Sequence, residues 1–215
     1  MAAREIIVAV TGASGAVYAG RLLRALLQDG HRVHLVLSQY GRYLLIEELG
    51  YAPDLESVVE FLNRLYGDRV RRGSLHQYRV GDLAAPLASG SARIHGMAVV
   101  PCSMKTLAGI AHGLSTNLIE RAADVTLKER RPLVLVPRET PLSLVHLRNL
   151  TAVAEAGGTL VPAMPAFYQR PGSFDDLGDF IAGRVLDVMG IEHDLYPRWQ
   201  GPWREPQPPA VTTPP

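Results

Sequence analysis

The sequence predicts an α/β protein with a doubly wound, mainly parallel sheet in a single domain. Short runs rich in β-branched residues recur along the chain, and segments with helical periodicity lie between them. The 215 residues are enough to bury one sizeable core. We assign this domain to residues 1–199 and treat the proline-rich stretch 200–215 as a C-terminal tail.

The first strand and the turn after it organise the chain. Residues 6–10 (IIVAV) are apolar and mostly β-branched, as expected for a buried parallel strand. The turn TGASG follows at 11–15, and residues 16–28 have the periodicity of an amphipathic helix. Backbone N–H groups at the start of such a helix can bind an anion. A phosphate-bearing ligand is therefore the first hypothesis, and an ordinary tight turn is the alternative.

The same turn departs from the dinucleotide-binding pattern. That pattern has three glycines and an acidic residue that binds the ribose at the end of the second strand. Here the glycines are Gly12 and Gly15, and the second strand, 33–37, ends in Ser38. The sequence therefore favours a mononucleotide such as FMN over NAD.

The remaining elements alternate in the same way. Further strands are predicted at 97–100, 132–137 and 159–161. Helices are predicted at 40–50, 55–66, 104–112, 115–129 and 174–189, and a further helix ends near 156. Asp54, Ser103 and Ser173 are the expected caps of the helices that begin at 55, 104 and 174. Residues 67–93 show no regular period and include a loop of small residues at 84–91. In doubly wound sheets ligands bind beyond the carboxyl ends of the strands. Those ends have polar turns at 11–14, Ser38, 101–106 and 138–139.

Composition limits the range of functions. The 22 basic and 21 acidic side chains nearly cancel, so there is no basic field for nucleic acid. Cys102 is the single cysteine, which rules out an internal disulfide framework. No apolar run approaches the ~20 residues of a membrane span, and the N-terminal run is short for a signal peptide. We expect a cytoplasmic protein.

Several charged residues are candidates for chemistry. Arg121, Asp124 and Lys128 share one helix face, where they form either a ligand site or a solvated salt-bridge stripe. Glu139 follows a buried strand, where partial desolvation can raise the pKa of a carboxylate and suit it to proton transfer; an exposed loop charge is the alternative. The histidines show no metal-ligand spacing, and no metal site is predicted.

The last helix contains two further signals. Leu177, Ile181 and Val188 form an apolar stripe, and Arg184 lies within it. A buried guanidinium needs a paired anion, which is either a bound phosphate or an internal carboxylate. Residues 175–179 match the D-D-x-x-D pattern of all-α prenyl synthases. We discount that match because acidic residues favour the first turn of any helix.

Five stretches together resemble the UbiX-like flavin prenyltransferases. They are TGASGA at 11–16, PCSM at 101–104, NLIERAADV at 117–125, KERRPLVLVPRETP at 128–141 and PAFY at 165–168. The resemblance extends from about residue 6 to 199. It implies a flavodoxin-like Rossmann subunit in a homododecamer. It also implies transfer of a dimethylallyl group from dimethylallyl monophosphate to N5 and C6 of reduced FMN, without a metal. The prenylated FMN would serve UbiD-type decarboxylases.

The resemblance also assigns roles to residues. FMN would be held by Gly12, Ala13, Ser14, Ser38, Ser103, Met104, Lys105, Thr106 and Arg138. The prenyl phosphate would be held by Arg121, Lys128, Tyr168 and Arg184. Ser14, Glu48 and Glu139 would manage proton transfers, and Trp199 would offer its π face to an allylic cation.

One departure and two rivals accompany this interpretation. Family members often have a tryptophan just before the Ala-Pro of the small-residue loop, where this sequence has Asp82, Leu83 and Ala84. One wall of the prenyl pocket is therefore expected to be aliphatic. The rivals are an FMN-dependent cysteine decarboxylase and a non-catalytic flavin carrier. The run 128–139 and the pairing of Tyr168 with Arg184 favour the prenyltransferase.

Overall fold

A computed structural model describes residues 3–199 and 201 of the chain. Within them six parallel strands form one sheet in the order β3-β2-β1-β4-β5-β6, which is the strand order of a Rossmann sheet. The strands are β1 (Glu5–Val10), β2 (Arg32–Leu37), β3 (Ser74–Tyr78), β4 (Gly96–Cys102), β5 (Leu133–Pro137) and β6 (Thr159–Leu160). The predicted doubly wound, single-domain fold is confirmed. The predicted tail, 200–215, lies outside the described residues except for Gly201, so the domain boundary stays a prediction.

Helices cover both faces of this sheet. They are α1 (Ala16–Gln28), α2 (Gln39–Leu49), α3 (Val58–Tyr66), α4 (Met104–Ala111), α5 (Leu118–Lys128), α6 (Leu144–Glu155) and α7 (Phe174–Val188). Strand β1 divides its side chains between two cores: Ile6 and Val8 pack with α1, α3 and α7, whereas Ile7 and Ala9 pack with α4 and α5. This alternation follows from the two-residue period of a strand that is buried on both faces.

The strand order places a switch point between β1 and β4. Ile6 of β1 is in register with Val33 of β2 on one side and with Gly96 of β4 on the other. The connections from these neighbouring strands leave toward opposite faces, so a crevice opens between the turns that follow β1 and β4. The functional site is built there.

Local details differ from the sequence prediction at three places. Strand β3 lies inside the segment that was predicted to be irregular, because it is an edge strand whose side chains are mostly exposed and show no apolar run. Helix α3 is capped by Ser57 through a capping box with Glu60, so the prediction of Asp54 as the cap is wrong. Helix α5 begins after Asn117, whose side chain accepts from two backbone N–H groups.

Candidate functional site

Thr11 joins the two turns that bound the crevice. Its side chain is fully buried, and its Oγ1 donates to the carbonyl of Pro101 at 2.9 Å. The same oxygen accepts from the backbone N–H of Ser103 at 2.7 Å. The position of the turn after β4 is therefore fixed by the turn after β1.

The first turn of α4 presents donors at this crevice. Ser103 caps the helix, since its Oγ accepts from the N–H of Thr106 at 3.3 Å. The N–H groups of Met104 and Lys105 belong to the first turn, where a helix supplies no internal acceptors. Two hydroxyls and a set of backbone donors thus meet at one end of α4, which suits an anionic ligand.

A cavity of about 430 Å³ lies between the turns that follow β1, β2 and β4. Its lining is formed by Gly12, Ser38, Gln39, Tyr40, Val80, Ser103, Lys105, Thr106, Asn117 and Ile119. Five of these, Gly12, Ser38, Ser103, Lys105 and Thr106, are among the nine residues predicted to hold FMN. The other five, Gln39, Tyr40, Val80, Asn117 and Ile119, were not predicted to bind FMN. Tyr40 is an exposed aromatic at the start of α2, and Val80 lies in the irregular segment, where no local pattern indicates a ligand.

The other four predicted FMN residues are not among the residues that line this cavity. Ala13 and Met104 are buried, whereas Ser14 and Arg138 are exposed. The Nε of Arg138 donates to the carbonyl oxygen of Ser14 at 3.0 Å. The turns after β1 and β5 are therefore joined directly across the end of β4, which lies between the two strands.

The N-terminus of α1 is already occupied by an anion from the chain itself. Oε2 of Glu48 accepts from the N–H of Gly15 at 2.9 Å and from that of Ala16 at 2.7 Å. Gly15 adopts a left-handed φ of 116°, which favours glycine at this cap. In the single chain this helix end therefore holds the Glu48 carboxylate, and the binding of a ligand phosphate there stays a prediction.

Lys105 supplies a fixed positive charge at the cavity. Its Nζ lies 3.0 Å from Oε1 of Glu120, a carboxylate that is only 1% exposed. The Oγ1 of Thr116 also donates to Glu120, at 2.5 Å. Burial raises the pKa of Glu120, but the hydrogen bonds from Thr116 and Lys105 lower it by more, so this carboxylate stays ionised.

Glu139 lies at the end of β5 as predicted, but its environment differs. Its side chain is exposed, and its Oε1 accepts from the adjacent N–H of Thr140 at 3.0 Å. The expected desolvation is therefore not found in the single chain. Cys102 is the opposite case: its side chain is fully buried, and burial raises the pKa of the thiol, which keeps it protonated and unreactive.

The residues predicted to bind the prenyl phosphate form two separate groups, and none is among those that line the 430 Å³ cavity. On α5, Arg121 pairs with Asp124 at 2.6 Å, and Lys128 pairs with Glu129. Near the end of the described chain, Tyr168 contacts Trp199 edge to face, with 5.3 Å between ring centroids.

Arg184 does not lie in an apolar stripe, so that prediction is wrong. Its side chain is 48% exposed and pairs with Asp187 at 2.8 Å. The buried face of α7 consists of Gly178, Ile181, Ala182, Gly183, Val185 and Leu186. This face is rotated from the predicted stripe because two glycines and an alanine let α7 approach its neighbours closely. Asp187 is thus an internal carboxylate partner of Arg184, and the binding of a phosphate by Arg184 stays a prediction.

The aspartates at the start of α7 are used internally. Asp175 and Asp179 pair with Arg21 of α1, and Asp176 completes the capping box of Ser173. Among the described residues, no group of three or more His, Cys, Asp or Glu side chains could hold a metal ion. In the same part of the chain, no helix is long and apolar enough to cross a membrane.

A parallel sheet in this order, with a hydroxyl-lined cavity at its switch point, defines a Rossmann-type protein. The family model described as Flavoprotein matches residues 1–185. The flavin prenyltransferase UbiX of Alkalihalophilus pseudofirmus is 48% identical over 192 residues, which cover 89% of this chain and 94% of the relative. UbiX of Methanothermobacter thermautotrophicus is 46% identical over 199 residues, covering 92% and 96%. The chain therefore belongs to the flavoprotein family and, within it, to the UbiX flavin prenyltransferases.

Solved structures agree with this assignment. A crystal structure of AnUbiX (PadA1) in complex with FMN and dimethylallyl pyrophosphate has a TM-score of 0.83 and 43% identity, and the match covers 94% of this chain and 100% of that one. A dodecameric UbiX-like decarboxylase from Escherichia coli O157:H7 has a TM-score of 0.80 and 43% identity, with coverage of 92% and 100%. The cysteine decarboxylase TvaF, at 16% identity and a TM-score of 0.55, shares the fold alone.

Proposed function

We propose that this chain is a flavin prenyltransferase, which transfers the dimethylallyl group of dimethylallyl monophosphate to reduced FMN and releases prenylated FMN. The observation that carries the proposal is the cavity at the β1/β4 switch point, with its hydroxyls and backbone donors. It lies in a chain that is 43% identical, over 94% of its length, to a UbiX structure solved with FMN and a prenyl diphosphate.

The residues of the cavity fit FMN. Ser38, Ser103 and Thr106 offer hydroxyls, and the start of α4 offers unpaired N–H groups to a phosphate. Val80 and Ile119 offer apolar surface to a ring system. The ten lining residues include the cation of Lys105 and no carboxylate, which suits an anionic ligand. Reduced FMN, when bound, supplies the nucleophilic ring positions N5 and C6.

We assign FMN binding to the nine residues named for it above, including those beside the cavity, Ala13, Ser14, Met104 and Arg138. We assign the prenyl phosphate to Arg121, Lys128, Tyr168 and Arg184. Because these four do not line the cavity of their own chain, we propose that a neighbouring copy completes the site. A homododecamer, as in the E. coli structure, supplies such neighbours.

The residues of the chain then perform the group transfer as follows. Arginine and lysine side chains take up the negative charge of the departing phosphate as the carbon–oxygen bond breaks. The π face of Trp199 stabilises the allylic carbon, which is electron-poor at that stage. Ser14, Glu48 and Glu139 hold or move the protons of the reacting flavin.

Release of prenylated FMN as a product implies a second protein that uses it. We propose a UbiD-type decarboxylase as that recipient, and the cytoplasm as the compartment. The single, buried cysteine is compatible with a reducing compartment.

One experiment separates this proposal from its rivals. The protein is loaded with FMN, reduced with dithionite under anaerobic conditions and mixed with dimethylallyl monophosphate, and the extracted flavin is analysed by mass spectrometry. A flavin heavier by one C5 unit supports the transfer. Unchanged FMN in a folded sample overturns it, and a parallel reaction with a cysteine-terminated peptide and oxidised FMN then tests the decarboxylase.

A further inference from the structure

The carboxylate of Asp187, near the end of α7, contacts four polar side chains. Asp187 is only 17% exposed. Its Oδ2 accepts from Nη1 of Arg184 at 2.8 Å and from the hydroxyl of Tyr196 at 2.5 Å. Its Oδ1 accepts from Nε2 of His193 at 3.1 Å and lies 2.6 Å from Nη1 of Arg198. Each oxygen therefore serves two partners.

Three of these partners come from the segment that follows α7. Residues 190–199 fold back over the helix, and the Tyr196 ring rests on Gly183, where a Cβ atom would lie 2.4 Å from Tyr196 Cε1. Phe180 packs against the same ring, with 5.1 Å between centroids. The segment is therefore fixed by packing on one side and by the Asp187 carboxylate on the other.

Both ring nitrogens of His193 have partners in this arrangement. Nδ1 accepts from the backbone N–H of Leu195 at 3.2 Å, and Nε2 lies 3.1 Å from Oδ1 of Asp187 and 3.3 Å from Nη2 of Arg198. Two guanidinium cations, Arg184 and Arg198, therefore share the single carboxylate of Asp187, so positive charge is in excess beside Arg184.

The same segment leads to the aromatic pair assigned to the prenyl group. The Nε2 of Gln169 donates to the carbonyl of Pro197 at 3.1 Å, which joins the segment to the loop that contains Tyr168. Trp199, two residues after Pro197, contacts Tyr168 edge to face. Asp187 thus acts on Arg184 directly and on Tyr168 and Trp199 through the chain between them.

We propose that Asp187 is a positioning residue for the prenyl donor. It holds one Nη of Arg184, so that the other N–H donors of that guanidinium remain aimed at a phosphate. It also fastens the segment that places Trp199 against Tyr168. This inference rests on the proposed function, because it concerns the binding of dimethylallyl monophosphate.

The test compares Asp187→Asn with the matched control Asp68→Asn, which removes an exposed carboxylate from an i,i+3 pair with Arg71 at 3.8 Å. For each variant the KM for dimethylallyl monophosphate, kcat and the Kd for FMN are measured. We expect Asp187→Asn to raise KM about tenfold to a hundredfold, with the Kd for FMN within about twofold, since it loses charged hydrogen bonds. The control should match the parent.

A second readout needs no substrate. In a Trp203→Phe background Trp199 is the remaining tryptophan, and acrylamide quenching of its fluorescence reports how firmly it is held. Asp187→Asn should increase the quenching constant, and the control should not. If wild type forms no C5-adduct, the proposed function fails while this quenching result still tests the positioning role.

Unchanged KM together with unchanged quenching would overturn the proposal, and so would a loss of FMN binding as large as the loss of donor binding. If Asp187→Asn does not fold, Tyr196→Phe decides, because it removes one of the four contacts and keeps the packed ring. That variant should raise KM by a smaller factor and increase the quenching. The absence of both effects would exclude the role.

Discussion

The substitution Thr11→Val tests whether the switch point is held by a single hydroxyl. Valine keeps the shape of threonine, so the buried volume is unchanged while both hydrogen bonds of Oγ1 are lost. The carbonyl of Pro101 still accepts from the N–H of residue 11 at 3.2 Å. The N–H of Ser103, however, loses its acceptor at 2.7 Å in a partly buried position.

The expected magnitude follows from that single unsatisfied donor. Leaving a buried N–H unpaired costs about 1–3 kcal/mol, so for this partly buried group we expect a loss of about 1 kcal/mol in the free energy of unfolding. For a domain of this size that corresponds to a fall in Tm of roughly 2–4 °C. The affinity for FMN should also fall, because Ser103 starts the helix whose N-terminus faces the cavity.

Thermal and urea unfolding at matched protein concentration measure the stability, and calorimetry measures FMN binding. The control is Thr151→Val on α6, where the hydroxyl is exposed and donates to Leu147 at 3.1 Å. Surface changes of this kind usually stay within about 0.5 kcal/mol. A Thr11→Val variant no less stable than the Thr151→Val control would refute the reasoning.

Four further outcomes are expected. Calorimetry should show FMN binding more tightly than NADH, because Ser38 stands where NAD enzymes have an acidic residue; tighter NADH binding would contradict this. Glu139→Gln should keep FMN but slow formation of prenylated FMN by about 10²–10⁴-fold, since an amide cannot move a proton, and near-normal product yield would remove Glu139 from the mechanism. The pKa of Glu120 is lowered in the folded chain, so its stabilising contribution is complete above its ordinary pKa of 4.5 and is lost as the pH falls below it; acid unfolding of Glu120→Gln should therefore show a smaller pH dependence than that of the parent. Cys102 should react with iodoacetamide only after unfolding, because the native thiol is buried and protonated, and labelling of the native protein would show that the core opens.

Much of the fold was predictable because its signals are local. The first helix was predicted at 16–28 and is found at Ala16–Gln28, since its apolar period and the Asp29–Gly30 stop lie within the segment itself. Strands β1, β4 and β5 are nearly continuous apolar runs, as parallel strands buried on both faces require. Strand β3 escaped prediction because an edge strand has no such pattern.

The sequence predicted which turns bring hydrogen-bond donors to the site, but it did not predict how far apart the charged side chains lie. The hydroxyl-bearing turns at Ser38 and Ser103 follow buried strands, so the parallel sheet alone brings them to one edge. Prenyl transfer came from the resemblance of five motifs. The separation of Arg121 and Lys128 from Arg184 was not predictable from spacing, since it depends on how α5 and α7 pack on opposite faces of the sheet.

By itself the sequence determined the alternation of strands and helices, the polar edge of the sheet and the preference for a mononucleotide, because each depends on residues close together in the chain. Only the tertiary structure decided that the Glu48 carboxylate binds at the start of α1 and that Arg184 pairs with Asp187. Glu48 reaches the N-terminus of α1 from 33 positions away, and Arg184 turns toward Asp187 because the glycine-containing face of α7 is the one that is buried. Such outcomes depend on which elements pack together, and that information lies in contacts between residues distant in the chain.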